Sequence, residues 1–143
     1  MAKRISTNYR TQPNYAQYKK EGGTMAKNPR TMLNEFTQGF ESLEKTDPQR
    51  LQAFNRFGQL CEESGALDTK TKALISVAIA VYVHCEYCIV YHTNEALKLG
   101  ATREELTEVA HVAWLMGGGP AVAYSVTLLK DTIETFAPDY EGK

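Results

Sequence analysis

An all-α helical bundle is the fold class this sequence predicts, and three observations predict it. From Thr31 onward apolar residues recur at spacings of three and four, the period of a helix face rather than of a strand. Helix-start and helix-stop signals bracket these stretches: Asp47-Pro48, Asp68-Thr69 and Thr102-Arg103-Glu104-Glu105 at the starts, Gly65 and Gly100 at the ends. No stretch of useful length alternates apolar with polar residues, and no repeat of fixed period or low-complexity tract interrupts the pattern. The count comes to about six helices. With 143 residues, 43% of them hydrophobic, the chain is large enough to bury one real core.

Residues 1–24 stand apart from that pattern. They are polar and basic, with Lys3, Arg4, Arg10, Lys19 and Lys20 against Glu21 alone, and read as a solvated or subunit-draping extension ahead of a domain spanning 25–143. Tyr9, Tyr15 and Tyr18 could dock on a neighbouring subunit, and Met25 offers an alternative start. The first helix carries Met32, Leu33, Phe36, Phe40 and Leu43 on one face. The second begins at Asp47-Pro48, an N-cap followed by proline at the first helical position, and continues through Leu51, Phe54, Phe57 and Leu60. Cys61 adjoins that face and reads as a small core residue, and Gly65 is placed to close the helix in a left-handed cap.

Asp68 or Thr69 caps a third helix whose segment from Ala73 to Val83 is apolar on nearly every side. Such a helix is expected to be covered all round, within the bundle or between subunits. Periodicity alone allows it to run on through Leu99, but a break near His84 is expected on chemical grounds, because it would put Cys85 at a free helix N-terminus. The motif helix ends at Gly100 after Lys98. Thr102 and Glu105 form a capping-box match that opens a fifth helix, with Leu106, Val109, Ala110, Ala113, Trp114 and Met116 as its stripe and His111 beside it as a packing residue. Gly117-Gly118-Gly119-Pro120 breaks the chain and restarts it, with Pro120 in the first turn of a last helix through about Phe136.

Composition narrows the function classes. A net charge of −1 argues against nucleic acid as the main partner. Three cysteines, two of them in one C-x-x-C, do not make a secreted disulfide framework. The first residues lack the apolar run of a signal peptide. The apolar run from Ala73 to Val83 is shorter than the about 20 residues that cross a bilayer, so no membrane partner is expected, and the reading is a cytoplasmic protein.

The chemistry concentrates in His84-Cys85-Glu86-Tyr87-Cys88-Ile89-Val90-Tyr91-His92. On a helix Cys85, Cys88 and His92 fall at i, i+3 and i+7, so two thiols and an imidazole share one face. A thiolate is the nucleophile, and a helix N-terminus beside a histidine lowers a thiol pKa from about 8.5. Helical Cβ atoms three residues apart lie about 5–6 Å from one another, wider than a disulfide prefers, so a bridge held on one helix would be strained and reducible. On these grounds Cys85, nearer the helix start, is the lower-pKa thiol. Zinc would put three ligands on one helix and leave the fourth to His84, His111 or Cys61. Neither metal nor cofactor is expected.

Gly65-Ala66-Leu67-Asp68-x-Lys70-x-Lys72-x-Leu74-Ile75, the apolar helix, Cys85-Glu86-Tyr87-Cys88-x3-His92, Gly100-Ala101, the acidic capped helix and the Gly-Gly-x-Pro turn together resemble the AhpD-like, carboxymuconolactone decarboxylase superfamily over residues 31–136. The resemblance implies an AhpD-like helical bundle that assembles as a trimer or hexamer. In the alkylhydroperoxidase branch it implies a Cys pair that reduces hydroperoxides and is re-reduced by a dithiol partner protein. Carried over, Cys88 is the peroxidatic nucleophile, Cys85 the resolving thiol and His92 the proton shuttle, with Tyr87 and His84 flanking the pair. One departure weakens the match: the glutamate usual after the basic residue that corresponds to Lys72 is Ala73 here. Two other readings therefore stand beside a thiol-dependent peroxidase. One is a general dithiol/disulfide oxidoreductase acting on small disulfides, and the other is a non-catalytic oligomeric member of the family.

Overall fold

The computed structural model describes residues 28–142, and the basic extension over residues 1–24 lies outside them. The described residues are helical throughout: α1 (Pro29–Thr46), α2 (Pro48–Glu62), α3 (Thr69–Tyr82), α4 (Glu86–Lys98), α5 (Arg103–Tyr124), a π-helical turn (Ser125–Leu129), α6 (Lys130–Phe136) and a short 3-10 turn (Ala137–Asp139). The glycine break falls where the sequence places it. Gly118 takes φ +61 inside α5, a conformation glycine reaches at no steric cost, and the chain resumes at Pro120. The π-turn then carries it into α6, a detail with no signature in the residue pattern.

The starts follow local chemistry. Asn28 Oδ1 accepts from the Arg30 and Thr31 amides, and Asp68 Oδ1 accepts from the Thr71 amide at 2.8 Å. Thr102 and Glu105 form the full capping box at 2.8 and 3.1 Å, and the same Glu105 receives Lys70 Nζ at 2.8 Å, tying the start of α3 to that of α5. Asp47 departs from expectation. It sits at the N-cap of α2 but makes no side-chain cap, because its carboxylate is taken by Arg50 at 2.8 Å.

α3 is the central element, packed along both α4 and α5. Val77, Ala80 and Val81 meet Ile89, Val90 and Leu97 of α4 and Leu106, Ala110 and Ala113 of α5, and Leu129, Ile133 and Phe136 close the core from the C-terminal side. α1 reaches this core through the buried Met32. The stretch Arg103–Asp139 is long and apolar enough to cross a membrane by length and composition alone. Here it is kinked at Gly118 and lends Leu106, Ala110, Leu129 and Phe136 to the core.

Within this chain α3 leaves Ile75, Ile79, Tyr82 and Val83 exposed, because α4 and α5 occupy only its other side. Two expectations need correction. α2 turns its apolar stripe outward, burying Leu51 alone, and Cys61 is an exposed free thiol rather than a core residue. Gly65 is not a left-handed cap either, since α2 ends at Glu62 and Gly65 lies outside the positive-φ set. The carbonyl end of α2 is satisfied by a side chain instead. Lys72 Nζ donates to Cys61 O at 2.9 Å and to Glu63 O at 2.6 Å, a cation on the negative end of a helix.

The break between α3 and α4 falls at His84. His84 N–H donates to Val81 O at 3.3 Å and Cys85 N–H to Ala80 O at 3.1 Å, the paired bonds of a Schellman motif with His84 in the left-handed seat at φ +59. α4 closes in the same way with Gly100 in that seat, through Gly100 N–H to Leu97 O and Ala101 N–H to Ala96 O.

Leu106 is 0% exposed and joins three helices in the core. Leu106→Ala should lower the unfolding free energy by about 2–5 kcal/mol, read as a drop in denaturant midpoint at unchanged slope. A smaller loss would mean that α5 packs less tightly than described.

Candidate functional site

Cys85 is the first residue of the site and lies outside the helix that carries the rest. As N-cap of α4 it has extended φ/ψ of −86° and 99°, and its Sγ accepts from the Cys88 amide at 3.3 Å. The three motif residues therefore do not share one continuous helix. Cys88 and His92 lie one turn apart on α4, and Cys85 reaches Cys88 from the preceding turn. Cys85 and Cys88 are joined by a disulfide with a Cα–Cα separation of 5.2 Å, inside the range that bridged cysteines adopt. The strain argued from helical Cβ spacing does not apply, because Cys85 is not helical. Both sulfurs sit at the amide end of α4, where free N–H groups and the helix dipole favour negative charge. Reduction of the bridge puts a thiolate into that field.

The flanking residues have separate duties. Tyr87 points away from the pair and donates its hydroxyl to Glu35 Oε2 at 2.6 Å, tying α4 to α1. His84 stacks on Tyr124 with ring centroids 5.2 Å apart and planes 16° from parallel, and its Nε2 is buried without a hydrogen-bond partner. Across the helix, His111 is exposed and packs edge-on against Trp114, whose indole donates to Ser125 Oγ at 2.7 Å. Cys61 and His111 take no part in the site. Among the described residues no three His, Cys, Asp or Glu side chains converge in a metal-binding arrangement.

His92, one turn after Cys88 on α4, lines a small cavity of about 40 Å³ together with Glu62, Thr69, Ala73, Tyr91, Glu95 and Leu99. Its volume accommodates a few atoms the size of a water oxygen. Ala73, which also packs against the core, thus lines the same cavity as the imidazole. Burial holds the His92 imidazole below its ordinary 6.5, and the carboxylates of Glu62 and Glu95 oppose that shift. The imidazole is consequently neutral at pH 7 and able to accept a proton. Burial likewise raises the Tyr91 phenol, with Glu95 and Glu62 adding to the effect. Two larger cavities, about 320 and 510 Å³, lie at the C-terminal side of the bundle and reach neither cysteine.

Sequence reasoning singles out Cys85, Cys88, His92 and Ala73, and the structure places the last two on the wall of one cavity. It misses both carboxylates. Glu95 lies three residues after His92 and was accessible from helical spacing; Glu62 comes from another helix and has no local signal.

A family model described as the carboxymuconolactone decarboxylase family matches residues 48–131. An uncharacterized protein of Cupriavidus necator is 38% identical over 96 residues, 67% of this chain and 85% of that protein. Another, from Haemophilus influenzae, is 38% identical over 93 residues, 65% of this chain and 82% of that protein. Among solved structures, a carboxymuconolactone decarboxylase family protein from Legionella pneumophila is similar at a TM-score of 0.73 and 36% identity, over 78% of this chain and 99% of that one. A Thermotoga maritima protein of the same family shares the fold at a TM-score of 0.61 and 23% identity, over 76% and 95% of the two chains. With the family model matching more than half of the chain and a relative 38% identical over 67% of it, this chain belongs to the carboxymuconolactone decarboxylase family.

Proposed function

We propose that the protein is a thiol-dependent peroxidase of the alkylhydroperoxidase type, whose Cys85–Cys88 pair is re-reduced by a dithiol partner protein in the cytoplasm. The observation that supports this most is the Cys85–Cys88 bridge at the N-terminus of α4, with His92 one turn after Cys88 on the same helix. In the reduced enzyme the Cys88 thiolate attacks one oxygen of the hydroperoxide. The O–O bond breaks, Cys88 becomes a sulfenic acid, and the alkoxide takes a proton, by way of the His92 imidazolium, to leave as an alcohol. The Cys85 thiolate then attacks the Cys88 sulfur, the S–O bond breaks, and the hydroxide departs with a proton as water. The two electrons lost by the thiols are those that reduced the peroxide.

Regeneration follows from the capping geometry. The sulfur that the Cys88 amide caps is the better leaving group, because its thiolate is the more stabilised of the two. An incoming dithiol therefore attacks Cys88, expels the Cys85 thiolate and resolves the mixed disulfide with its second sulfur. Ala73 favours the second reading, a dithiol/disulfide oxidoreductase without peroxidase activity, because the usual proton acceptor at that position is absent.

We also propose that the protein works as a trimer or hexamer. α2 exposes Phe54, Phe57 and Leu60, and α5 exposes Leu115 at 83% and Met116 at 71%, large apolar side chains that a subunit interface would remove from water. Sedimentation at micromolar concentration should give three or six times 16.0 kDa, and a monomer overturns the proposal.

Stoichiometric hydroperoxide should oxidise the reduced protein to the Cys85–Cys88 bridge while Cys61 stays a free thiol. Peptide mapping checks this, and Cys61 within the bridge would sink the site assignment. If wild-type protein reduces small disulfides but loses no thiols to peroxide, the oxidoreductase reading replaces the peroxidase one.

The acid limb of the oxidation rate should have its midpoint below 6.5, because the proton-accepting form of His92 is lost only as pH falls through its lowered pKa. His92→Gln should remove that limb and slow oxidation by about 10²-fold or more. An unchanged pH profile in the variant would exclude His92 as the shuttle.

A further inference from the structure

We infer that Glu62, delivered from α2, is the carboxylate that positions His92 and sets its proton affinity in place of the one missing at Ala73. The inference rests on the peroxidase reading for its kinetic consequence only. Glu62, Ala73 and His92 line the same cavity of about 40 Å³, so the space left by the alanine side chain opens toward a carboxylate on a neighbouring helix. The backbone on either side of Glu62 is held in place: Lys72 Nζ donates to Cys61 O and to Glu63 O, at 2.9 and 2.6 Å. The residue immediately before the vacancy thus clamps the two residues that flank its replacement.

The other groups around the imidazole do not fill this role. From α3 the cavity receives Thr69 and Ala73, while Lys70 is turned to Glu105 and Lys72 to the α2 carbonyls. From α4 it receives Tyr91, a phenol, and Glu95, whose carboxylate is drawn toward Lys98 Nζ at 3.6 Å. Glu62 is the largest of the influences that favour the imidazolium, ahead of Glu95. A carboxylate on the wall of the cavity that the imidazole lines stabilises the proton the ring accepts, which is the service a histidine shuttle needs. Glu62 is therefore a positioning residue, acting on the sulfur chemistry through His92.

The first test needs no turnover. NMR titration of His92 in the oxidised protein should show its midpoint moving to lower pH in Glu62→Gln, and moving less in Glu95→Gln, with helicity by circular dichroism unchanged in both. A midpoint that stays put in folded Glu62→Gln, or that moves more in Glu95→Gln, overturns the inference. Lys72→Met, which releases the clamp but leaves the carboxylate, should shift His92 in the same direction as Glu62→Gln. The kinetic arm follows peroxide-dependent thiol loss: Glu62→Gln should slow it about 10-fold, part of the 10²- to 10⁴-fold that acid–base assistance supplies, and should move its acid limb down. Adding Ala73→Glu to Glu62→Gln should restore most of the rate, and failure to restore it in a folded double variant, with wild type active, counts against the exchange of positions. If wild type shows no peroxide-dependent thiol loss while the titration shift is found, the peroxidase reading falls and the assignment of Glu62 to His92 stands.

Discussion

Cys85 belongs to two helices at once, and the rest of the site depends on that. Its amide closes the carbonyl end of α3 through Ala80, and its sulfur caps the amide end of α4 through Cys88. Had α3 continued into the motif, the amides of Cys85 and Cys88 would have been spent on intrahelical bonds, and neither sulfur would have met a free N-terminus. The break also lets Cys85 leave helical geometry, so the two cysteines can be bridged without distorting α4. A single reversal between Tyr82 and Glu86 thus supplies both the electrostatic field and the sulfur geometry.

The reversal requires a residue in the left-handed region, and that residue is His84 rather than glycine. Non-glycine residues pay about 1–3 kcal/mol for such a backbone, and Gly100 shows that the same motif is met elsewhere in this chain by the unstrained choice. Here the imidazole stacks on Tyr124, at the last turn of α5 beyond the Gly118 kink. That stacking offsets part of the strain and ties the turn before the cysteines to the restarted half of α5. Gly117 belongs to the same neighbourhood. A Cβ there would meet the Tyr82 ring at 3.2 Å and the Ala121 methyl at 3.0 Å, so the glycine lets α5 close on the end of α3.

α2 is the element in which surface and site meet. It buries only Leu51 against its own chain and presents Phe54, Phe57 and Leu60 outward, yet its last turn brings Glu62 to the cavity beside His92. Its carbonyl end is tied to α3 by the Lys72 clamp on Cys61 O and Glu63 O.

Much of this molecule is written in local sequence, because helices are local objects. Apolar spacing places the helical stretches, Asp68 and the Thr102–Glu105 pair mark two starts, Gly100 and Gly118 mark an end and a kink, and the C-x-x-C with its histidine announces the sulfur chemistry. The break at His84 was legible only through chemistry, since nothing in the residue pattern from Thr71 to Leu99 opposes a single helix. Tertiary structure decided what no spacing encodes: which face of α2 turns outward, that Cys61 is exposed, that Lys72 rather than Gly65 closes α2, and that Glu62 arrives beside Ala73 and His92. Periodicity identifies a stripe but not the partner that buries it, and a carboxylate thirty residues from an imidazole has no local signal of their meeting. The helices are consequences of neighbours along the chain, and the cavity beside His92 is a consequence of how three of them pack.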